Sequence, residues 1–185
     1  MSDNLSRRGF VGRAATLGAA PVLLQAQAPA QKLGIGFIGT GSRGNYVVDL
    51  LYKGSGELVS VTAVCDAFQG ALARAKDRVQ TVEKKTPKTF ADYRELLQDP
   101  AVDAVFVTTP EHLHHSMTIA ALKAGKHVYV EKPLAHTIEE GAEIVKVAEK
   151  SGKVVQVGTQ NRSNSLYIKA KEMVEQGMIG DVHYV

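Results

Sequence analysis

A run of apolar residues that ends in spaced glycines constrains this chain more than any other feature. Residues 33–39 have the composition of a buried strand, and residues 39–44, Gly-Thr-Gly-Ser-Arg-Gly, match Gly-x-Gly-x-x-Gly at the start of a helical segment. In such a turn the first glycine permits a tight bend, the second lets the backbone approach a pyrophosphate, and the third lets the helix pack on the strand. The helix N-terminus also favours an anion, because its unpaired N–H groups point outward. The sequence therefore predicts a dinucleotide site in six residues: Gly39, Thr40, Gly41, Ser42, Arg43 and Gly44.

Apolar and helical segments alternate along residues 33–180. Predicted strands such as residues 58–65 and 102–108 are continuous apolar runs, which is the pattern of strands buried on both faces of a parallel sheet. Alternation of strands with helices predicts βαβ units. We therefore predict an α/β fold, a Rossmann-type doubly wound parallel sheet, and an NAD(P)-binding domain over residues 33–180.

Asp66 closes the second predicted strand, about 20 residues after the glycine turn, where this kind of site has an acidic residue. Its carboxylate can accept hydrogen bonds from both ribose hydroxyls and would repel a 2′-phosphate, which favours NAD as the cofactor. NADP stays open, because Arg43 is near enough in sequence to accommodate that phosphate. Asp66 is also a candidate cap for the following helix.

Further polar clusters follow the later strands, at the sheet edge where ligands of open α/β sheets bind. Lys132, between Glu131 and Pro133, is the candidate catalytic residue. A lysine beside the cofactor can hydrogen-bond a substrate hydroxyl and assist its deprotonation. The alternative is a surface lysine paired with a neighbouring acid. A cis bond before Pro133 would fix where Lys132 points.

Three histidines, His112, His114 and His115, lie on one turn that enters a helix. They lack the i, i+4 pair of a helical zinc site, so we predict no metal. We expect one histidine to line the cofactor cleft and the others to face solvent or cap the helix.

Composition excludes several classes of protein. The single Cys65 cannot form a disulfide framework. The net charge of +3 falls to +1 without residues 1–30, which hold three arginines and one aspartate, so nucleic acid is not an expected partner. No apolar run reaches the ~18 residues of a membrane span, so no membrane is expected as a partner either.

Residues 1–30 have the layout of an export signal. Ser-Arg-Arg-Gly-Phe-Val at residues 6–11 precedes a mildly apolar stretch, and small residues follow at Ala26, Ala28 and Ala30. The twin arginines resemble a Tat signal, with cleavage after Ala30. We therefore expect a periplasmic or secreted protein; the alternative is an N-terminal tail with two chance arginines.

Together these residues resemble the Gfo/Idh/MocA family of NAD(P)-dependent oxidoreductases. The likeness covers residues 33–185, and its most specific element is Glu131-Lys132-Pro133 within a Rossmann pattern. The resemblance implies that the glycine turn holds the pyrophosphate, that Asp66 binds the ribose, and that Lys132 contacts substrate or nicotinamide. It also implies cofactor contacts at Thr109, Pro110, His114, Glu131, Gln160 and Arg162.

The resemblance implies hydride transfer between nicotinamide and the hydroxyl carbon of a sugar or cyclitol, a small-molecule partner. Two alternatives stay open: an NAD-retaining glycosidase of the same superfamily, and a non-catalytic nucleotide-binding fragment. Family members continue into an open-faced β-sheet domain, of which we expect only the possible first strand here, at residues 181–185. We expect homo-oligomers only if that domain is present.

Overall fold

A computed structural model describes residues 32–183 of the 185-residue chain. The predicted export signal therefore lies outside the described residues. Of the segment predicted to begin a second domain, residues 181–183 are described and form no strand, whereas residues 184 and 185 lie outside. Among residues 32–183, no helix combines the length and apolarity that crossing a membrane requires.

Strands and helices alternate as predicted. The strands are β1 (Leu33–Ile38), β2 (Val59–Cys65), β3 (Lys88–Phe90), β4 (Ala104–Val107), β5 (His127–Glu131) and β6 (Val155–Gly158). The α-helices are α1 (Ser42–Ser55), α2 (Gln69–Glu83), α3 (Tyr93–Leu97), α4 (His114–Lys123), α5 (Ile138–Ser151) and α6 (Ser165–Glu175). Short 3-10 turns at Glu111–Leu113 and Gln160–Ser163 follow β4 and β6.

The six strands form one parallel sheet in the order β3-β2-β1-β4-β5-β6. The doubly wound α/β fold is thereby confirmed. The order reverses between β1 and β4, and such a switch point opens a crevice at the carboxyl ends of the strands. The predicted site residues follow β1, β2, β4, β5 and β6 at this same edge, so the topology gathers them.

Burial explains why the strands are apolar along their whole length. All of β1 beyond Leu33 is buried, and the sheet separates two apolar clusters. Phe37 belongs to one cluster and Ile38, the next residue, to the other, as expected when successive side chains point to opposite faces. This packing holds the carboxyl ends of the strands in fixed register, which in turn positions the loops that follow them.

Candidate functional site

The three glycines of the turn have different environments. A Cβ on Gly44 would lie 2.3 Å from the Gly39 carbonyl oxygen, and one on Gly39, whose φ is +89°, would lie 2.7 Å from the Thr109 nitrogen. A Cβ on Gly41 would meet no atom within 4 Å. Packing of the chain therefore requires glycine at positions 39 and 44. At position 41 the glycine leaves open space that a bound molecule can use.

Asp66 braces this turn from the neighbouring strand. Its Oδ2 atom accepts hydrogen bonds from the Thr40 backbone N–H at 2.7 Å and from the Thr40 hydroxyl at 3.1 Å. Its Oδ1 atom accepts from the backbone N–H of Phe68 at 2.9 Å, just before α2. The carboxylate thus fixes the turn and the start of a helix together, in addition to the ribose contact that the sequence predicts.

Asn45 is a second brace, which the sequence reasoning missed. Its side-chain amide donates to the carbonyl oxygens of Thr40 at 2.8 Å and Gly41 at 3.1 Å. The sequence did contain a signal for this role. A short amide side chain directly after the glycine pattern is close enough to donate hydrogen bonds to the carbonyl oxygens of the turn. Asn45 thereby helps to hold the conformation in which Gly41 faces open space.

A cavity of about 330 Å³ opens beside Asp66. We call it the Asp66 cavity. Burial raises the pKa of the Cys65 thiol to about 12, with smaller contributions from the charges of Asp66 and Asp92. Arg94, also missed from sequence, lines this cavity and is paired with Asp92 at 2.7 Å. The lining residues include Gly39, Cys65, Asp66, Asp92, Tyr93, Arg94, Thr109, Pro110, Leu113 and Met117.

A second cavity, of about 350 Å³, lies beside Lys132. We call it the Lys132 cavity. It adjoins the first at Thr109, which lines both. Its lining residues are Arg43, Thr108, Thr109, Glu111, His114, Glu131, Lys132 and Gln160. The two cavities form one crevice across the switch point.

Arg43 and Glu131, which both line the Lys132 cavity, form an ion pair. Arg43 donates from Nε and Nη2 to Oε1 of the buried Glu131, at 2.8 and 2.6 Å. The bond to Glu131 raises the pKa of the Arg43 guanidinium. Tyr129 also donates a hydrogen bond to Glu131, at 3.0 Å. Burial and the adjacent carboxylate raise the pKa of the Tyr129 hydroxyl to about 12. Arg43 lines the Lys132 cavity, whereas Asp66 lines the other one.

Lys132 itself is exposed in its cavity, and none of the salt bridges found among residues 32–183 involves it. The alternative, in which Lys132 is paired with a neighbouring acid, does not describe Glu131, because Glu131 forms its ion pair with Arg43. The Lys132–Pro133 bond is cis. An unpaired ammonium with its neighbours fixed is available to a ligand.

The remaining predicted residues are spread around the crevice. Gln160 lines the Lys132 cavity and also an adjoining recess, which Arg162 lines with Tyr129 and Gly158. Ser42 lies in a groove between α1 and α2. Of the histidines, His114 is buried in the crevice wall, His112 is exposed, and His115 pairs with Glu143 on α5 at 3.0 Å. In the described part of the chain, no three His, Cys, Asp or Glu side chains are placed to hold a metal ion together.

Comparison with known proteins identifies the family. The model of the Gfo/Idh/MocA oxidoreductase family, described as having an NAD-binding Rossmann fold, matches residues 33–159. The chain belongs to this family. The matched segment carries every strand of the sheet, the glycine turn, Asp66 and Lys132.

Two of the similar proteins carry the names of different kinds of enzyme. The chain is 35% identical over 151 residues to inositol 2-dehydrogenase/D-chiro-inositol 3-dehydrogenase of Lactiplantibacillus plantarum, covering 80% of this chain and 40% of that protein. It is 32% identical over 152 residues to an α-N-acetylgalactosaminidase of Shewanella oneidensis, covering 80% and 33%.

A solved structure extends the comparison. The scyllo-inositol dehydrogenase from Lactobacillus casei, crystallised with NAD(H) and scyllo-inositol, matches with a TM-score of 0.71 and 28% identity over 82% of this chain and 43% of that one. The chain thus spans less than half the length of each of these three relatives.

Proposed function

We propose that this chain is the cofactor-binding part of an NAD-dependent oxidoreductase that acts on a hydroxyl carbon of a sugar or cyclitol. The observation that carries the proposal is Gly41, whose missing side chain leaves open space at the start of α1 while the flanking glycines are fixed by packing. The inositol dehydrogenase relatives support the substrate class. NAD supplies the hydride acceptor when bound.

The residues of the crevice fit a dinucleotide. The turn at residues 39–44 and the N-terminus of α1 offer N–H groups to a pyrophosphate. The Asp66 cavity offers a carboxylate for ribose hydroxyls beside apolar walls formed by Leu113 and Met117. Arg43, Glu131 and Gln160 then lie along the Lys132 cavity, where the nicotinamide half would be held.

Lys132 is the residue that we propose to act on the substrate. Its ammonium lies free of acid partners beside Glu131, so it can donate a hydrogen bond to a substrate hydroxyl and stabilise the charge that develops when the proton leaves. The fixed backbone around it keeps that donor at one end of the crevice. Substrate selection then depends on groups that face Lys132 across the cavity.

Nucleotide binding tests the proposal. NADH should bind the chain and change nicotinamide fluorescence, and Gly41→Ala should weaken binding about 10-fold or more, because its methyl group would fill the open space that we assign to the pyrophosphate. Gly54→Ala is the matched control, because a Cβ there also meets no atom within 4 Å but lies away from the turn, near the end of α1. Equal affinities for NADH in the Gly41→Ala and Gly54→Ala variants would overturn the proposal.

The relative from Shewanella favours a second candidate, an NAD-retaining glycosidase. The two candidates differ in their products. A dehydrogenase should accumulate NADH when the chain is mixed with NAD and an inositol, whereas the glycosidase should release nitrophenol from an N-acetylgalactosaminide without net NADH. Nucleotide binding with neither product would favour the remaining alternative, a binding module.

We also propose that residues 1–30 direct export through the Tat route. The support is the twin-arginine segment at residues 6–11 and the small residues that end at Ala30. A fusion of residues 1–31 to a folded reporter should reach the periplasm, and replacing Arg7 and Arg8 by lysine should retain the reporter in the cytoplasm. Export of the lysine variant at the normal level would contradict the proposal.

A further inference from the structure

His114 occupies an unusual position between the two loops of the crevice. It begins α4, and only 1% of its surface is exposed. Its Nδ1 atom lies 2.6 Å from the carbonyl oxygen of Pro133, and its Nε2 atom lies 2.9 Å from the carbonyl oxygen of Thr109. One ring therefore joins the loop after β4 to the segment that follows Lys132.

Both contacts require the ring to donate. Carbonyl oxygens accept hydrogen bonds only, so each ring nitrogen needs a proton to bond its partner. A doubly protonated ring bonds both carbonyls at once, whereas a neutral ring bonds one of them. A buried group with two such partners holds its neighbours more firmly than an exposed one, because water cannot replace the bonds.

The chain on the other side of Lys132 is also anchored. Glu131 accepts hydrogen bonds from Arg43 and Tyr129, and Pro133 is held through its carbonyl by His114. Lys132, between these two anchored residues, is exposed in the cavity. The direction in which its side chain leaves the backbone therefore depends on both anchors.

We propose that His114 is a positioning residue for Lys132, which acts by tying the Lys132–Pro133 segment to the Thr109 carbonyl. His114 thus serves the nicotinamide end of the crevice without taking part in the chemistry. The expected effect of His114 on nucleotide binding rests on the proposed function, whereas its expected effect on the position of the Lys132 side chain does not.

Chemical labelling of Lys132 tests the positioning directly, without any nucleotide. In the 185-residue chain, His114→Ala should change the rate of Lys132 acetylation, measured by mass spectrometry, by about 3-fold or more, because the segment that follows Lys132 loses its hydrogen bond to the buried ring. His114→Gln keeps a side-chain NH2 group that can donate to one of the two carbonyls, and it should give an intermediate rate. Lys123, an exposed lysine at the end of α4, is the internal reference.

His115→Ala is the matched control. His115 is the next residue on the same helix, but its ring pairs with Glu143 instead of the Lys132 segment. Its removal should leave the Lys132 rate unchanged. A Lys132 rate that is the same in wild type and in both His114 variants, with circular dichroism showing all of them folded, would overturn the proposal.

Nucleotide probes separate this proposal from the cofactor proposal. His114→Ala should weaken NADH binding about 10-fold while changing AMP affinity less than about 2-fold, because AMP lacks the nicotinamide half that the proposed function assigns to the Lys132 cavity. Equal loss of both nucleotides would overturn the positioning role, since it would indicate general damage to the crevice. If wild type binds neither nucleotide, the cofactor proposal fails, and the acetylation rates alone decide the role of His114.

Discussion

The Asp66 cavity and the Lys132 cavity share Thr109 but are held in place in different ways. Beside the first, the Asp66 carboxylate binds backbone and hydroxyl groups of the glycine turn and the N–H that precedes α2. Beside the second, side chains that are far apart in the sequence bind one another: Arg43 pairs with Glu131, which lies 88 residues later. One cavity is shaped by a turn and its brace, and the other by long-range pairs.

This difference bears on what each cavity can do. Backbone N–H groups at a helix start suit a pyrophosphate, which every dinucleotide carries. A pair of side chains, by contrast, can be changed one member at a time while the backbone of the turn keeps its N–H groups. The Asp66 cavity is therefore suited to a constant part of a ligand, and the Lys132 cavity to the part where chemistry and selectivity vary.

Gly44→Ala should have the largest effect, because the turn supports both cavities. The new methyl group would lie 2.3 Å from the Gly39 carbonyl oxygen, so strand and helix would have to separate. We expect the free energy of unfolding to fall by about 3 kcal/mol or more, measured by urea denaturation. Gly54→Ala, in open space on the same helix, should be neutral or stabilising by up to ~1 kcal/mol. Equal urea midpoints for the two variants would contradict this explanation.

Glu131→Gln should have the next largest effect and should act on the Lys132 cavity alone. The glutamine leaves Arg43 without its anion, and the free energy of unfolding should fall by about 2 kcal/mol. This loss is smaller than the usual cost of breaking a fully buried ion pair, because the Arg43 side chain is 35% exposed. Arg43→Met in a double-mutant cycle with Glu131→Gln should show a coupling energy of about 1 kcal/mol or more. Strictly additive effects would mean that the pair does not hold the cavity together.

The same difference explains what could be predicted from the sequence. The parallel sheet, the turn and the position of Asp66 follow from apolar runs and glycine spacing, because their contacts are local or repeat along the chain. The partner of Arg43 could not be predicted, because an arginine in the turn is equally compatible with a phosphate and with an acid on any later strand. The bridging role of His114 could not be predicted from the sequence either. Its hydrogen-bond acceptors are backbone carbonyls, which every residue has, so no pattern of side chains indicates them.

Asp66→Asn should have a smaller effect on stability, and it tests the Asp66 cavity in the way that Glu131→Gln tests the Lys132 cavity. An amide offers one acceptor oxygen where the carboxylate offers two, so one of the bonds to the turn or to Phe68 is lost. We expect a loss of about 1 kcal/mol in the free energy of unfolding and a weaker affinity for AMP, measured by calorimetry. Asp77→Asn, at an exposed position on α2, is the control and should change neither quantity. An altered acetylation rate at Lys132 in Asp66→Asn would show that the two cavities are not independent.

The smallest effect concerns Cys65, which lines the Asp66 cavity. Burial raises its pKa to about 12, whereas an unfolded thiol titrates near about 8.5. The folded chain therefore keeps this proton where the unfolded chain releases it, so this contribution to stability is intact below about pH 8.5 and declines as the pH rises towards 12. Between about pH 7 and pH 9 the free energy of unfolding should fall by about 0.8 kcal/mol more in wild type than in Cys65→Ala, measured by urea denaturation at both values. Identical pH slopes would mean that water reaches the thiol in the folded chain. The Asp66 cavity would then be as open to solvent as the Lys132 cavity, and the contrast between them would rest on hydrogen bonding alone.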